Sequence, residues 1–236
     1  YWAPMNDPRP APQRLSAPDR QQQLLEAALQ VFSRKGFKGA TTREIAGAAG
    51  VTEAIIFQHF PSKEALYSAV LELHFDAGDS ERWREEIYGC MERNDDEGLA
   101  FLFIRRILEA YVKDTALQRV ILFAALEGHG QGLARMKEQY AATFEKLVAY
   151  LRRRQREGAL CDCDPRALLI ALGAMAHQYG QITRIMNAPV IDIPDEELAR
   201  QFTRILLGGI RTTTSPARAG RKGRKGANPS HRKAKS

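Results

Sequence analysis

Signals that begin and end a helix alternate at short intervals in the first third of this chain. Ser16 and Asp19 have the spacing of a capping pair before a first helix, and Gly36 stands where a left-handed residue is expected to end it. Thr41 and Glu44 then form the Thr-x-x-Glu capping box of a second helix. The chain must therefore form several separate helices here, which have to pack together.

The next signals place a tight turn between two of these helices. Gly50 ends the second helix, Thr52 can cap a third, Pro61 ends that one, and Ser62 can cap a fourth that begins at Lys63. Two short helices joined by a glycine turn predict a helix-turn-helix, a motif whose second helix enters the major groove of DNA.

Helical periodicity continues through the rest of the chain. Apolar residues recur at helical spacing in four further stretches, namely 102–126, 133–156, 165–187 and 195–210. No stretch alternates with a period of two between hairpin turns. We therefore predict an all-α fold of about nine helices, with an N-terminal helix-turn-helix domain and a C-terminal helical domain.

Composition sets the expected boundaries. Residues 1–18 are rich in proline, and residues 212–236 contain no large aliphatic side chain. Such segments bury too little apolar area to offset the loss of chain entropy. We predict a disordered arm over 1–18, a helix-turn-helix DNA-binding domain over 19–75, a further helical domain over 76–211, and a disordered basic tail over 212–236.

The positive charge of the chain is concentrated at its C-terminal end. The formal net charge is +7, and nine lysines and arginines with no acidic residue lie from Arg211 onward. Subtracting these nine charges from +7 leaves −2 for residues 1–210. A tail of this kind favours sequence-independent attraction to phosphates.

The predicted third helix carries the candidate base-reading side chains. Glu53 can accept a hydrogen bond from a cytosine amino group, while Ala54 and Ile55 can contact a thymine methyl group. The apolar run continues through Ile56 and Phe57, which also suggests contacts with methyl groups.

The starts of the second and fourth helices suit the DNA backbone. Thr41 and Thr42 place hydroxyls beside free helix N-terminal amides, a combination that binds phosphate, and Arg43 is long enough to reach a guanine. Lys63 can hold a phosphate together with the first amides of the fourth helix.

The segment from Gly36 to Leu66, GFKGATTREIAGAAGVTEAIIFQHFPSKEAL, resembles the signature of the tetracycline-repressor (TetR) family of transcriptional regulators. The resemblance covers about residues 19–75; the remainder is similar to the family only in the number, length and order of its helices. It implies that the first three helices bind double-stranded DNA and that the larger helical domain binds an inducer and dimerises.

The resemblance also implies roles for individual residues. It places Thr42, Arg43, Glu53, Ala54 and Ile55 at base-facing sites, and Thr41, Thr52, Phe57, His59 and Lys63 at backbone or flanking sites. The family usually has tyrosine where this chain has Phe57, so a hydrogen bond from a phenol to a phosphate is lost, although the ring can still pack on a sugar. The alternative is that residues 19–75 are three ordinary packed helices.

No catalytic motif is visible in the C-terminal domain. Residues 79–210 contain no glycine-rich phosphate loop, no Gly-x-Ser-x-Gly and no His-Glu-x-x-His. We therefore expect no enzymatic activity, no cofactor and no metal site.

Aromatic residues of this domain suggest a binding pocket instead. Its candidate lining residues are Phe103, Tyr111, Phe123, Tyr140, Phe144 and His177. Between helices, these residues would accept a small, largely apolar effector. The alternative for the same residues is plain core packing.

The predicted helix over 165–187 is rich in alanine and glycine, which permits close approach of helices. Together with the last helix it suits a two-fold, four-helix interface, as the family resemblance also implies. A homodimer of this kind would bind an operator that is an inverted repeat.

We expect a ligand-released homodimeric repressor; the alternative is a sequence-blind, nucleoid-type DNA binder driven by the basic tail. No apolar run is long enough to cross a membrane, and no secretory signal is visible. The three cysteines, Cys90, Cys161 and Cys163, do not form a disulfide framework, which favours a cytoplasmic setting. The Cys161-x-Cys163 pair is interpreted as incidental loop residues, with half a metal site or a redox sensor as alternatives.

Overall fold

The structure, a computed structural model, describes residues 15–72, 77–128 and 130–210. The described residues form ten α-helices and no strand, which confirms the predicted all-α class. The helices are α1 Ala17–Gly39, α2 Thr42–Ala49, α3 Glu53–His59, α4 Lys63–Glu72, α5 Ala77–Glu92, α6 Asp96–Lys113, α7 Thr115–Glu127, α8 Gly130–Arg156, α9 Pro165–Gly180 and α10 Asp195–Ile210.

The predicted basic tail, and the predicted arm as far as residue 14, lie outside the described residues. The first helix begins at Ala17, one residue before the expected end of the arm. It begins there because the Ser16 hydroxyl accepts a hydrogen bond from the Asp19 amide at 3.3 Å and Pro18 lies in the first turn.

The predicted helix signals act as expected, with one exception. The Thr41–Glu44 capping box is complete, and Gly50 ends α2 in the left-handed conformation. The Ser62 hydroxyl accepts from the Ala65 amide at 3.1 Å. Thr52 occupies the N-cap position of α3, but its hydroxyl makes no capping hydrogen bond, so the expected use of this side chain as a cap is wrong.

Gly36 divides α1 into a long helix and a short final turn. Its backbone has φ 68° and ψ −174°, a combination that is open almost only to glycine. The positive φ agrees with the prediction from sequence, but the chain is more extended here than in a left-handed helix cap. The segment after Gly36 is thereby redirected toward the start of α2.

The described residues build two buried cores. In the first core, α1 to α4 surround Phe32, Ile45, Ile56 and Leu66, and α7 contributes further side chains, including Val120. The second core is formed by α5, α6 and α8 to α10. Helix α7 therefore packs into the helix-turn-helix core, although α4 ends at Glu72 and α7 begins only at Thr115.

Two further observations bear on the class of protein. None of the described helices combines the length and the apolar composition that a membrane span requires. Within residues 15–72, 77–128 and 130–210, no three potential metal ligands lie close enough together to hold an ion.

Candidate nucleic-acid interface

The helix-turn-helix leaves one face of α2 and α3 open to solvent. Ile45 and Ile56 anchor the two helices in the first core, and neither is exposed. The suggestion that Ile56 contacts a methyl group is therefore wrong, because its side chain points into the core. Of the other candidate DNA contacts, Thr41, Arg43, Thr52, Ala54 and Phe57 are exposed, whereas Thr42, Glu53, Ile55, His59 and Lys63 are half-buried.

A hydrogen bond joins the first turns of α2 and α3. The Thr42 hydroxyl donates to Glu53 Oε2 at 2.6 Å. This contact brings two candidate base readers from different helices together and holds the Glu53 carboxylate in one place. A preorganised acceptor suits recognition of a donor on a base edge.

Thr41 and Glu44 stabilise the start of α2. The Glu44 carboxylate accepts from both the amide and the hydroxyl of Thr41, each at 3.1 Å, and also pairs with Lys35. Lys35, followed by Thr41, holds the pKa of Glu44 below its ordinary value. The end of the long part of α1 is thereby tied to the start of α2.

Lys63, the candidate phosphate contact on α4, rests on an aromatic cluster. Its ammonium lies 4.3 Å from the ring centroid of Phe37, and Phe37 in turn packs edge-on against Tyr67 at 5.1 Å. A cation over a ring face is held electrostatically while its outer side stays available to an anion. Lys63 is thus positioned by the segment that follows Gly36.

Glu127, the last residue of α7, holds that segment from the other side. Its carboxylate accepts hydrogen bonds from the Phe37 amide at 2.8 Å and the Lys38 amide at 3.3 Å. A Cβ on Gly36 would lie 2.4 Å from Glu127 Oε1. The glycine therefore allows the carboxylate to approach the backbone.

Arg119 and Tyr67 add two more links between α7 and the N-terminal helices. Arg119 Nε donates to the Ser33 carbonyl at 2.9 Å, and its Nη1 lies 3.5 Å from the Ile185 carbonyl, just beyond α9. The buried Tyr67 hydroxyl donates to the Val120 carbonyl at 3.3 Å, and burial raises the pKa of Tyr67. The sequence did not predict these contacts between α7 and the N-terminal helices, because the partners are 53 to 90 residues apart and no local pattern indicates such pairs.

The candidate pocket residues do not all lie together. Phe103, Tyr111 and His177 meet where α6 packs on α9: Tyr111 Oη lies 3.3 Å from His177 Nδ1, and Phe103 and His177 both border Gly173. Phe123 lies instead beside Gly36, next to the helix-turn-helix core. On α8, Tyr140 is half-buried and Phe144 is exposed.

The surroundings of His177 affect its charge. The His177 side chain is exposed to solvent on one side, yet desolvation of the side that packs against α6 lowers the pKa of His177. Burial also raises the pKa of Tyr111. Both groups are therefore favoured in their neutral forms, which suits an apolar cluster.

Two buried polar atoms on α5 could not be foreseen from the sequence. Ser80 Oγ and Trp83 Nε1 on α5 are buried without a hydrogen-bond partner among the described residues, and the Trp83 ring lies 5.9 Å from that of Phe103. Buried polar groups normally have partners, so these two atoms are candidate contacts for a polar group of a bound molecule.

Helices α9 and α10 present an open apolar face. Ile170 is 70% exposed and Ile205 is 64% exposed. A Cβ added to Gly208 or Gly209 would meet no atom within 4 Å. On α10, Ile205 lies one turn from this bare glycine backbone, and such a surface allows another helix to approach closely.

Comparison with known proteins agrees with this architecture. A family model described as bacterial regulatory proteins of the tetR family matches residues 24–70. The HTH-type transcriptional regulator RutR of Escherichia coli is 28% identical over 195 residues, which are 80% of this chain and 89% of that protein. The HTH-type transcriptional activator FasR of Mycolicibacterium smegmatis is 48% identical over 63 residues, which are 27% of this chain and 29% of FasR.

Solved structures share the fold. The fatty acid degradation regulator FadR of Bacillus halodurans superposes with a TM-score of 0.58 at 18% identity, over 84% of this chain and 98% of that one. An N-terminal helix-turn-helix followed by a helical C-terminal domain is thus an arrangement found in known regulators.

Proposed function

Because the chain belongs to the TetR family and is a DNA-binding transcriptional regulator, we propose that it is a homodimeric repressor that a small molecule releases from an inverted-repeat operator. The observation that carries this proposal is the exposed face of α2 and α3, on which Thr42 and Glu53 hold each other in place beside Arg43 and Ala54.

In the proposed complex the first residues of α3 lie in the major groove. Glu53 accepts from a cytosine amino group, Ala54 and Ile55 pack on a thymine methyl group, and Arg43 donates to a guanine. Thr41, Thr52, Phe57, His59 and Lys63 contact the backbone on either side. The hydroxyl of Thr52, which the helix cap leaves unused, is then available to a phosphate.

The open face of α9 and α10 supports the proposed homodimer. Ile170 and Ile205 would lie against the same helices of a second copy, and Gly208 and Gly209 would let the two backbones approach. Two copies related by a two-fold axis present two recognition helices, which fit an inverted repeat.

The cluster at Phe103, Tyr111 and His177 supports a largely apolar effector. Its rings supply apolar area, while Trp83 Nε1 and Ser80 Oγ can each donate one hydrogen bond to an acceptor on the molecule. The effector therefore combines an apolar body with at least one carbonyl, carboxylate or ether oxygen.

Helix α7 offers a route by which binding of the effector changes the DNA-binding helices. Arg119 touches both the segment after α9 and the carbonyl of Ser33, and Glu127 holds the turn that leads to α2. An effector that binds more tightly to a shifted position of α6 or α9 would move α7 and with it the reading helices.

Selection of random duplexes by the full-length protein at low and at moderate salt tests the proposal. Enrichment of one inverted repeat that persists at moderate salt is expected. Binding of all duplexes alike, with affinity lost steeply as salt rises and lost altogether on removal of residues 211–236, would favour the sequence-blind alternative. The nine basic residues of the tail are the observation behind that alternative.

The release step needs a separate measurement. Titration of the complex with candidate effectors should weaken operator binding, and the operator should weaken effector binding by the same factor. A saturating effector that leaves operator affinity unchanged would contradict release.

A further inference from the structure

The connector between α8 and α9 carries two cysteines whose side chains touch. Cys161 Sγ and Cys163 Sγ lie 3.9 Å apart. Cys163 is exposed and Cys161 is half-buried, whereas Cys90, the third cysteine, is buried in the second core. The two thiols of the connector are therefore both reachable and adjacent.

The connector is held in this shape by hydrogen bonds. Gln155 Nε2 donates to the Cys161 carbonyl at 2.9 Å and the Cys163 carbonyl at 2.8 Å, and it also lies 3.7 Å from Cys163 Sγ. The Cys161 amide donates to the carbonyl of Ile210, the last residue of α10, at 2.7 Å. With the backbone fixed on both sides, the two sulfurs can meet by rotation of their side chains.

The residues after the pair are equally well anchored. Asp164 caps α9 through the Arg166 amide at 2.9 Å, and its carboxylate also binds the Arg166 guanidinium, which together with that amide lowers the pKa of Asp164 to about 2. The connector with the two cysteines thus runs from the end of α8 at Arg156 to the capped start of α9 at Pro165.

We propose that Cys161 and Cys163 form a dithiol site that closes into an intramolecular disulfide by exchange with a small-molecule disulfide. The proposal rests on the contact and anchoring of the two thiols and does not depend on the proposed function.

The exchange has two steps, each of which conserves atoms and electrons. The exposed Cys163 thiolate attacks one sulfur of the small disulfide, forms a mixed disulfide and displaces one small thiolate. The Cys161 thiolate then attacks Cys163 Sγ, breaks the mixed disulfide and displaces the second small thiolate. The protons released by the two cysteines end on the two small thiols, so the protein pair is oxidised and the small disulfide is reduced.

The sulfurs must approach from 3.9 Å to the bonded distance of about 2 Å. Although Cys163 is exposed, desolvation by the atoms beside its thiol, followed by the Cys161 thiol and the carboxylates of Asp162 and Asp164, raises the pKa of Cys163. Thiols with a raised pKa are slow to attack and are also poor leaving groups. We therefore expect the ring to form slowly and, once formed, to resist reduction.

Mass spectrometry of a tryptic digest tests the proposal. Cleavage after Arg156 and Arg166 places both cysteines in fragment 157–166, while Cys90 falls in fragment 85–93 and reports on non-specific oxidation. The full-length protein is equilibrated with mixtures of oxidised and reduced glutathione, quenched with acid and alkylated. Fragment 157–166 is expected to lose the mass of two hydrogen atoms and to take up no alkylating agent.

The contribution of the fold to ring closure is measured by repeating the glutathione equilibration with the synthetic peptide 157–166. The equilibrium constant for ring closure should be about tenfold larger in the folded chain, because the fold holds the thiols in contact. Equal constants, or a wild-type fragment that carries glutathione without closing the ring, would overturn the proposal.

Two serine variants separate the roles of the cysteines. Cys161→Ser should accumulate a stable mixed disulfide at Cys163, because the attacking partner is missing. Cys163→Ser should react with glutathione disulfide several times more slowly, since Cys161 is half-buried. The opposite order of rates would contradict the assignment of Cys163 as the attacking thiol.

Discussion

At the scale of single residues, two glycines determine how closely neighbouring groups approach. Gly36 has a positive φ and leaves room for the Glu127 carboxylate beside the backbone. Gly180 lies at the end of α9, where a Cβ would come within 2.4 Å of the Tyr111 ring. The two glycines allow different contacts. Gly36 lets α7 bind the turn before α2, and Gly180 lets the Tyr111 ring lie beside His177.

Gly180→Ala should destabilise the protein. The added methyl group would collide with an aromatic ring that packing holds in place, and overpacking of this kind costs about 1–3 kcal/mol. Gly47→Ala is the matched control: its Cβ would meet nothing within 4 Å, and removal of a helical glycine stabilises by about 0.5–1 kcal/mol. Denaturant unfolding of both variants measures the difference. A neutral Gly180→Ala would show that Tyr111 can move aside without cost.

His177 should make stability depend on pH. Burial holds the pKa of His177 below its ordinary value of 6.5, so the folded state binds fewer protons than the unfolded state near that pH. The contribution of His177 is therefore complete above pH 6.5 and is lost as the pH falls through the folded pKa. In the protonated ring both nitrogens are donors, so Nδ1 cannot then accept a hydrogen bond from the Tyr111 hydroxyl.

Thermal unfolding at a series of pH values compares the wild type with His177→Gln. The wild type should lose stability more steeply below pH 6.5, because the glutamine side chain does not titrate. Identical slopes for the two proteins would mean that His177 is equally easy to protonate in both states.

At the scale of helices, α7 has contacts that its place in the chain does not suggest. It follows α6 of the second core, yet Leu117, Val120 and Ala124 are buried in the first core. Its side chains Arg119 and Glu127 bind the backbone of α1 and of the turn after Gly36. This helix therefore links the first core to helices of the second core.

Glu127→Gln should loosen the turn that precedes α2. The amide side chain lacks the charge that strengthens two hydrogen bonds from backbone amides, so the free energy of unfolding should fall by about 1 kcal/mol. Hydrogen exchange should accelerate at the amides of Phe37 and Lys38. Glu85→Gln, an exposed position on α5, is the control and should change neither measurement. Unchanged exchange at both amides in the Glu127 variant would contradict the holding role.

Arg43 should contribute to sequence recognition by α2. Arg43→Ala is expected to weaken binding to the selected operator about tenfold or more and to relax the base preference at one position of each half-site. Arg34→Ala removes an equally exposed arginine from α1 and should change binding little. Fluorescence anisotropy with the operator and with single-base variants measures both effects. Equal losses for the two variants would assign Arg43 to general phosphate attraction.

At the scale of the whole molecule, the open face of α9 and α10 predicts the oligomeric state. Ile205→Asp and Gly208→Trp should both convert a dimer into monomers without unfolding the chain. The aspartate would have to be buried in the interface, and the tryptophan, which meets nothing in the single chain, would block the partner's backbone.

Leu126→Asp is the control for these two variants, because Leu126 is 75% exposed but lies on α7. Sedimentation velocity distinguishes the states. Variants of Ile205 and Gly208 that remain dimeric would place the interface on another surface.

Local signals in the sequence determined the class of the fold and most helix ends. Helix caps and periodicity act within one or two turns, so Ser16, the Thr41–Glu44 box, Gly50 and Ser62 could be recognised from the residues around them. The resemblance to the family came from the same stretch, since the order of turns and small residues that defines a helix-turn-helix is itself local.

Other features depended on contacts between distant parts of the chain. The sequence showed Ile56 within an apolar run but did not show that its side chain points into the core. The sequence also grouped Phe123 with Phe103 and His177, although Phe123 lies beside Gly36 and the other two lie between α6 and α9. The links of Arg119 and Glu127 to α1 join residues 86 to 90 positions apart. These contacts form only because α7 packs against the first core. Their free energy depends on which helices meet, and the local sequence of each helix does not show that.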